Sequence, residues 1–192
     1  MLHQNEIEES ELLFKFDAAH WQTIVYDKHQ CHEKINSTEA KAIDFLSIYD
    51  QKTVVLFEIK NFRGHRIENK SRTENATADL VLEVAQKVRD SIAGMIGAVR
   101  DPLAIETEFW KTIGQLITKP KKEIIVIAWL EEDTNTSQIM QKRGKAVNNS
   151  RIKVLKQKLK WLSTSVSFRN MNNLQNLPFE GLTVQRLPNK KA

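Results

Sequence analysis

The chain has 192 residues, of which 41% are hydrophobic and 28% charged, the composition of an ordinary soluble globular protein with enough length for one real core. Its net charge of +5 and its pI near 9.3 favour an acidic partner, with nucleic acid first. A single cysteine, Cys31, excludes an intramolecular disulfide. No apolar run approaches the roughly 20 residues that span a bilayer, and the acidic first residues lack a signal-peptide pattern. We therefore expect a cytoplasmic protein with no membrane partner.

The first sixty residues predict one helix and three strands. Acidic residues surround an apolar stripe of Ile7, Leu12, Leu13 and Phe16, which predicts a short helix over residues 6–16. Apolar runs then alternate with polar connections. These segments predict a strand over 21–26, a polar loop over 27–38, and a hairpin whose strands 42–48 and 53–60 are joined by a turn at 49–52.

After an exposed, mobile loop at 63–77, which has almost no apolar residue, the chain predicts further helices and strands. Residues 79–99 carry apolar side chains every three or four positions, the strongest helix pattern in the chain. A continuous apolar run at 123–130 is typical of a central strand covered on both faces. The remaining predicted elements are helices over 103–118 and 149–162 and short strands over 166–169 and 182–187.

This order predicts the topology of a single domain over residues 1–192. The first three strands can form an antiparallel meander, and the long helix can then cross over to place strand 123–130 parallel beside them. The predicted fold is therefore a mixed α/β domain in the order α-βββ-α-β, with a mixed sheet and helices on both of its faces.

The predicted hairpin carries charges where a strand usually buries apolar side chains. Asp44 lies between Ile43 and Phe45 in one strand, and Glu58 and Lys60 share a face of the other. One register of the hairpin brings Asp44 close to Glu58. Buried carboxylates are costly unless a cation neutralises them, and Mg²⁺ prefers such oxygen ligands. A neighbouring lysine can orient or deprotonate water or stabilise charge on a phosphate, so the three residues are a plausible hydrolytic set.

Asp44, followed after thirteen residues by Glu58-Ile59-Lys60, resembles the motif of the PD-(D/E)xK nuclease superfamily, which has the restriction-endonuclease-like fold. The resemblance covers residues 6–130, and the predicted element order agrees with it, although Ile43 replaces the proline that often precedes the aspartate. It implies that Asp44 and Glu58 bind Mg²⁺ or Mn²⁺ and that Lys60 assists catalysis. The implied activity is metal-dependent nuclease action, with DNA the first candidate substrate, in restriction, repair or defence.

The resemblance also implies accessory site residues. Some members supply an acid from the first helix, for which Glu8 and Glu11 are both candidates. Some carry a glutamine on the helix after the Glu-x-Lys motif, and Gln86 matches it. The tyrosine that follows that glutamine by four residues in one branch is absent, because Asp90 occupies its position, so membership of that branch is doubtful.

Two basic segments are candidate nucleic-acid-binding surfaces. Residues 134–179 contain no acid, and a basic helical part at about 142–163 places Lys153, Lys156 and Lys160 in one stripe that can follow a phosphate backbone. The loop directly after Lys60 adds a second group of candidates. They are Arg63, Arg66, Lys70 and Arg72.

Three alternatives remain open from the sequence. The chain can be a catalytically inactive module of the same fold that binds nucleic acid or a protein partner. It can also be a homodimer whose two copies cut both strands, or a subunit that needs a partner protein.

A zinc site at His29, Cys31 and His32 would require further ligands from elsewhere in the chain.

Overall fold

The structure is a computed structural model that describes most of the chain. The described residues are 4–36, 39–63, 70–101, 105–120, 123–133, 138–162 and 165–188, and at 35–36, 70–78 and 138–143 only the backbone is described. The strands are β1 (Glu6–Glu9), β2 (Leu12–Phe16), β3 (Trp21–Val25), β4 (Phe45–Tyr49), β5 (Thr53–Asn61), β6 (Ile124–Glu131), β7 (Ser165–Arg169) and β8 (Leu182–Arg186). The helices are α1 (Gln30–Asn36), α2 (Lys70–Arg100), α3 (Thr107–Ile117) and α4 (Gln138–Leu159), with a short 3₁₀ helix at Met171–Asn176.

A five-stranded mixed sheet in the order β3-β4-β5-β6-β7 forms the centre of the molecule. β3, β4 and β5 are an antiparallel meander, and β6 and β7 each pair in parallel with the preceding strand of the sheet. Parallel pairing requires a crossover, which α2 and α3 supply before β6 and α4 supplies before β7. The predicted meander and the predicted parallel strand are therefore confirmed, and every residue of β6 is buried, as its apolar sequence predicted.

Helices cover one face of this sheet. The apolar residues of α2 recur at helical spacing, so Val84, Val88 and Met95 fall on one side of the helix, where all three are fully buried. They belong to one core cluster with Leu46 and Leu56 from the facing strands. None of the helices in the described part of the chain is long and apolar enough to cross a membrane.

The opposite face is covered by a second sheet, in the order β1-β2-β8, and not by the helices predicted there. Phe14 of β2 packs edge-on against Phe45 and Trp129 of the central sheet, with ring centroids 5.3 and 5.4 Å apart. The two sheets thus enclose an aromatic core. A layer of helices therefore covers one face of the central sheet, and a second sheet covers the other.

The predicted helix at residues 6–16 is wrong, because this segment is the β1–β2 hairpin. The connecting residues Ser10 and Glu11 have φ of 51° and 62°, the left-handed conformation of a tight two-residue turn. Leu12, Phe14 and Phe16 then alternate inward, and all three are buried. Burial of these large side chains on the central sheet outweighs the weak helical pattern of the same segment.

Two helices are longer than predicted, and one was not predicted. α2 begins at Lys70, so the loop predicted over 63–77 is helical from residue 70, while residues 64–69 lie outside the described chain. α4 begins at Gln138 and ends at Leu159, whereas the sequence predicted 149–162. α1 lies within the predicted loop 27–38. Once the apolar part of a helix is anchored, each further polar residue adds a hydrogen bond at little cost, so polarity alone does not mark its end.

Candidate active site

Asp44 and Glu58 face each other on the helix-covered side of the hairpin β4–β5. The register that pairs Phe45 with Phe57 places Asp44, the residue before β4, opposite Glu58. Backbone bonds hold this position, since the Asp44 N–H donates to the Phe57 carbonyl (3.0 Å) and the Asp44 carbonyl accepts from the N–H of Tyr26 (2.8 Å). Both carboxylates are buried, Asp44 at 7% and Glu58 at 1% exposure.

The two lysines of the site come from different elements. Lys60, two residues after Glu58 in β5, has its Nζ 3.2 Å from Glu58 Oε1 and 2.9 Å from Glu83 Oε1. Lys87, one helical turn after Glu83 in α2, has its Nζ 2.7 Å from the same Glu58 oxygen and 3.6 Å from Asp44 Oδ1. The ammonium of Lys87 therefore lies between the two carboxylates.

Burial changes the proton affinity of both carboxylates. Desolvation raises the pKa of Asp44 to about 6, against the opposing effects of Lys87 and of the Ile59 N–H, which donates to Asp44 Oδ2 (2.5 Å). Desolvation also raises the pKa of Glu58 to about 7, and the nearby charge of Asp44 adds to this effect. The site therefore binds protons more readily than exposed carboxylates do.

Lys60 is held in its charged form. Desolvation lowers the pKa of Lys60, but its ion pair with Glu58 and its hydrogen bond to Glu83 outweigh that effect and raise the pKa overall. Its ammonium is therefore protonated at neutral pH, which suits a hydrogen-bond donor and not a general base.

The oxygens of the site fit a hard divalent cation. Among the described residues, Glu58 Oε2 is buried without a hydrogen-bond partner, and the ion-pair partner of Asp44 Oδ1 is Lys87, whose Nζ lies 3.6 Å away. Among the described residues no group of three or more His, Cys, Asp or Glu side chains is arranged to hold a metal ion. Mg²⁺ is commonly held by one or two carboxylates, with water and substrate phosphate completing its shell.

Four neighbours of this site were missed in the sequence. Lys87 and Glu83 lie at the edge of the apolar face of α2, and that position is the signal that could have identified them. Glu9 and Asp27 are close enough for their charges to raise the pKa of Asp44. The sequence gives no such signal for these two, because β1 and the segment after β3 meet the site only in the folded chain.

The predicted accessory residues, Glu8, Glu11 and Gln86, make their described contacts with residues other than Asp44 and Glu58. Glu8 is exposed on β1, and none of its described contacts reaches the site. Glu11 lies at the hairpin turn, where its Oε2 accepts from Asn61 Nδ2 (3.3 Å) at the end of β5. Gln86 accepts a hydrogen bond from Lys41 Nζ (3.1 Å) at the rim of the site.

The predicted nucleic-acid-binding residues fall into two groups. Arg63 lies two residues after the end of β5, and its Nε donates to Asn61 Oδ1 (3.0 Å). Arg66 lies outside the described residues, and Lys70 and Arg72 are described only as backbone of α2. The second group lies along the outer side of α4 and at Lys160, the residue after its end, and each member is exposed to solvent. Its members are Lys153, Lys156 and Lys160.

The cluster at His29, Cys31 and His32 makes other contacts. His29 Nδ1 accepts from the Cys31 N–H (3.1 Å), so its Nε2 carries the proton and donates to Glu106 Oε2 (2.7 Å). Cys31 is buried, and desolvation raises the pKa of its thiol to about 11. These contacts tie the start of α1 to the start of α3.

Comparison of the chain with protein-family models, with curated proteins and with solved structures gave no match. Any function assigned to the site therefore depends on its geometry and chemistry alone.

Proposed function

We propose that the protein is a divalent-metal-dependent nuclease with a restriction-endonuclease-like core, acting on DNA. The observation that carries the proposal is the pair of buried, facing carboxylates, Asp44 and Glu58, with a charged lysine two residues further along β5. Structural ion pairs seldom bury two carboxylates side by side, because the desolvation cost must be met by cations. The antiparallel meander with a parallel fourth strand also agrees with that fold.

Each residue has a distinct task in this proposal. Asp44, oriented by the Ile59 N–H, and Glu58 would hold Mg²⁺ or Mn²⁺ through the carboxylate oxygens that accept no hydrogen bond from the described residues. A divalent cation at such a site stabilises charge on the phosphate and lowers the pKa of water. Lys60, kept protonated by Glu58 and Glu83, donates a hydrogen bond to the attacking water or to a phosphate oxygen.

The surroundings of the site suit a nucleic-acid strand. Arg63 extends beyond Lys60 at the same end of β5, and the exposed lysines of α4 offer phosphate contacts further away. A biological role in restriction, repair or defence would follow from cleavage of foreign or damaged DNA. The substrate strand can be single or double, so the test includes both.

The test is cleavage of supercoiled plasmid and of a labelled single-stranded oligonucleotide, with Mg²⁺ or with EDTA. We expect Mg²⁺-dependent cleavage by the wild type and a loss of at least about a hundredfold in Asp44→Asn, Glu58→Gln and Lys60→Met. Glu108→Gln and Lys111→Met, an exposed pair on α3, are the matched controls and should cleave at the wild-type rate. Equal cleavage by wild type and Asp44→Asn would contradict the proposal.

A second candidate is a module that has this fold and binds nucleic acid without cutting it. The observation that favours it is Lys87, since an ammonium between Asp44 and Glu58 can neutralise them without a metal. This candidate predicts DNA binding that is the same in EDTA and in Mg²⁺ and no cleavage under either condition. Loss of binding on removal of Mg²⁺ would exclude it.

A further inference from the structure

Lys87 occupies the place that a shared cation would take. Its Nζ contacts Glu58 Oε1 at 2.7 Å and Asp44 Oδ1 at 3.6 Å, and its side chain is only 16% exposed. The neighbouring Lys60 contacts Glu58 but has a second partner in Glu83. Among the described residues, Lys87 is thus the cation that contacts both carboxylates.

An ammonium and a divalent cation cannot both stay at these oxygens. Coulomb repulsion between an ammonium and a divalent cation at the same pair of carboxylates is strong in a buried site, and both would use the Asp44 and Glu58 carboxylates. Binding of the metal therefore requires that the Lys87 side chain move. The flexible four-carbon chain of a lysine permits this without a shift of α2.

A second partner for the displaced ammonium lies nearby. Asp27 follows Tyr26, whose N–H donates to the Asp44 carbonyl, so Asp27 is next to the site. Its Oδ1 is buried without a hydrogen-bond partner among the described residues, and the charge of Lys87 already lowers the pKa of Asp27 against the larger effect of burial. Such an unpaired oxygen gains a partner if Lys87 turns toward it.

We propose that Lys87 determines how tightly the site binds a divalent cation: it neutralises Asp44 and Glu58 in the metal-free protein and turns toward Asp27 when the cation enters. This inference rests on the proposed function for the identity of the cation site. Its consequence is a low affinity for metal alone, so the cation binds well only when substrate phosphate adds further ligands. Lys87 is in this sense a positioning residue, and cleavage becomes coupled to substrate binding.

The test is calorimetric titration of Mn²⁺ into the DNA-free protein. We expect Lys87→Gln to bind Mn²⁺ at least tenfold more tightly than the wild type, because a neutral amide neither repels the ion nor neutralises the carboxylates. Lys41→Gln removes a nearby lysine that contacts Gln86 and neither carboxylate, so its affinity should stay within about threefold. Asp27→Asn should weaken Mn²⁺ binding, because the displaced ammonium loses its partner. Unchanged or weaker binding in Lys87→Gln overturns the inference.

A measurement on the wild type covers the case in which the variant does not fold. Amine-reactive labelling followed by mass spectrometry should show faster modification of Lys87 when Mn²⁺ is present, with Lys41 unchanged as the internal control. Equal labelling with and without Mn²⁺ overturns the inference. Tighter Mn²⁺ binding in Lys87→Gln without any cleavage of DNA would instead reject the nuclease proposal and leave the role of Lys87 intact.

Discussion

At the scale of single residues, the site is governed by desolvation. Asp44 and Glu58 lose nearly all contact with water, and among the described residues two lysines and one backbone N–H compensate for that loss. Buried charges of this kind lower the stability of a fold unless they are neutralised. In the metal-free protein, the free energy of unfolding should therefore depend on the pH at which these two carboxylates lose their protons.

The free energy of unfolding of Glu58→Gln relative to wild type should rise between pH 5 and pH 8 in EDTA. The pKa of Glu58 is about 7 in the folded chain and near 4.5 when unfolded, so the folded state binds the proton more tightly. The stability that this proton contributes is complete below about pH 4.5 and is lost as the pH rises through about 7. From pH 5 to pH 8, the free energy of unfolding of Glu58→Gln should rise by roughly 2 kcal/mol relative to that of the wild type.

Urea titration followed by tryptophan fluorescence measures this difference at each pH. Glu108→Gln, an exposed substitution of the same kind on α3, should show no trend. If the free energies of unfolding of Glu58→Gln and of the wild type differ by the same amount at every pH in this range, Glu58 is not protonated in the folded chain near neutral pH.

The sequence predicted the part of the site that belongs to one hairpin. A short turn fixes the register of its strands, so Asp44, Glu58 and Lys60 could be placed near one another before the fold was known. Lys87 comes from α2, Glu9 from β1 and Asp27 from the segment after β3. Their approach depends on how α2 and β1 pack against the hairpin, which no local pattern contains.

At the scale of elements, residues 6–16 show how a local pattern can mislead. Leu12, Leu13 and Phe16 fit a helical stripe, but Leu12, Phe14 and Phe16 also fit the alternation of a strand. The two interpretations differ in which neighbour they bury: the helix buries Leu13, and the hairpin buries Phe14. The aromatic core between the two sheets decides in favour of the strand, and the sequence alone does not reveal that such a second layer exists.

Phe14→Ala should therefore destabilise the protein by about 3–4 kcal/mol, because Phe14 is fully buried against Phe45 and Trp129. Leu13→Ala, on the other side of β2, should cost about 1 kcal/mol or less. Thermal and urea unfolding of the two variants measures both values. A larger loss for Leu13→Ala than for Phe14→Ala would support the helical arrangement instead.

At the scale of the whole molecule, the mixed sheet was the most predictable feature. The strand patterns and the long helix of α2 determined the meander and the parallel crossover, because burial of a continuous apolar run such as β6 leaves few alternatives. The layer opposite the helices was not predictable, since it combines β1 and β2 with β8 from the far end of the chain. The basic stripe along α4 and at Lys160, just after its end, is exposed in the structure.

Replacement of Lys153, Lys156 and Lys160 together by glutamine should weaken DNA binding and its dependence on salt. If each lysine contacts one phosphate, the slope of log K against log salt should fall in magnitude by about 2–3. Fluorescence anisotropy with labelled duplex and single-stranded DNA at several salt concentrations measures this slope. A triple glutamine variant of Lys15, Lys52 and Lys111 removes the same charge elsewhere, and an equal decrease in that control would show that only net charge matters.

The most direct test of the central claim is a crystal structure of the protein with Mn²⁺ and a short DNA oligonucleotide, read by the anomalous scattering of manganese. We predict one strong peak within coordination distance of Asp44 and Glu58, with a phosphate oxygen completing its shell and Lys60 beside it. The absence of manganese from these two carboxylates at saturating concentration, with DNA bound elsewhere on the protein, would contradict the account of this site as a nuclease centre.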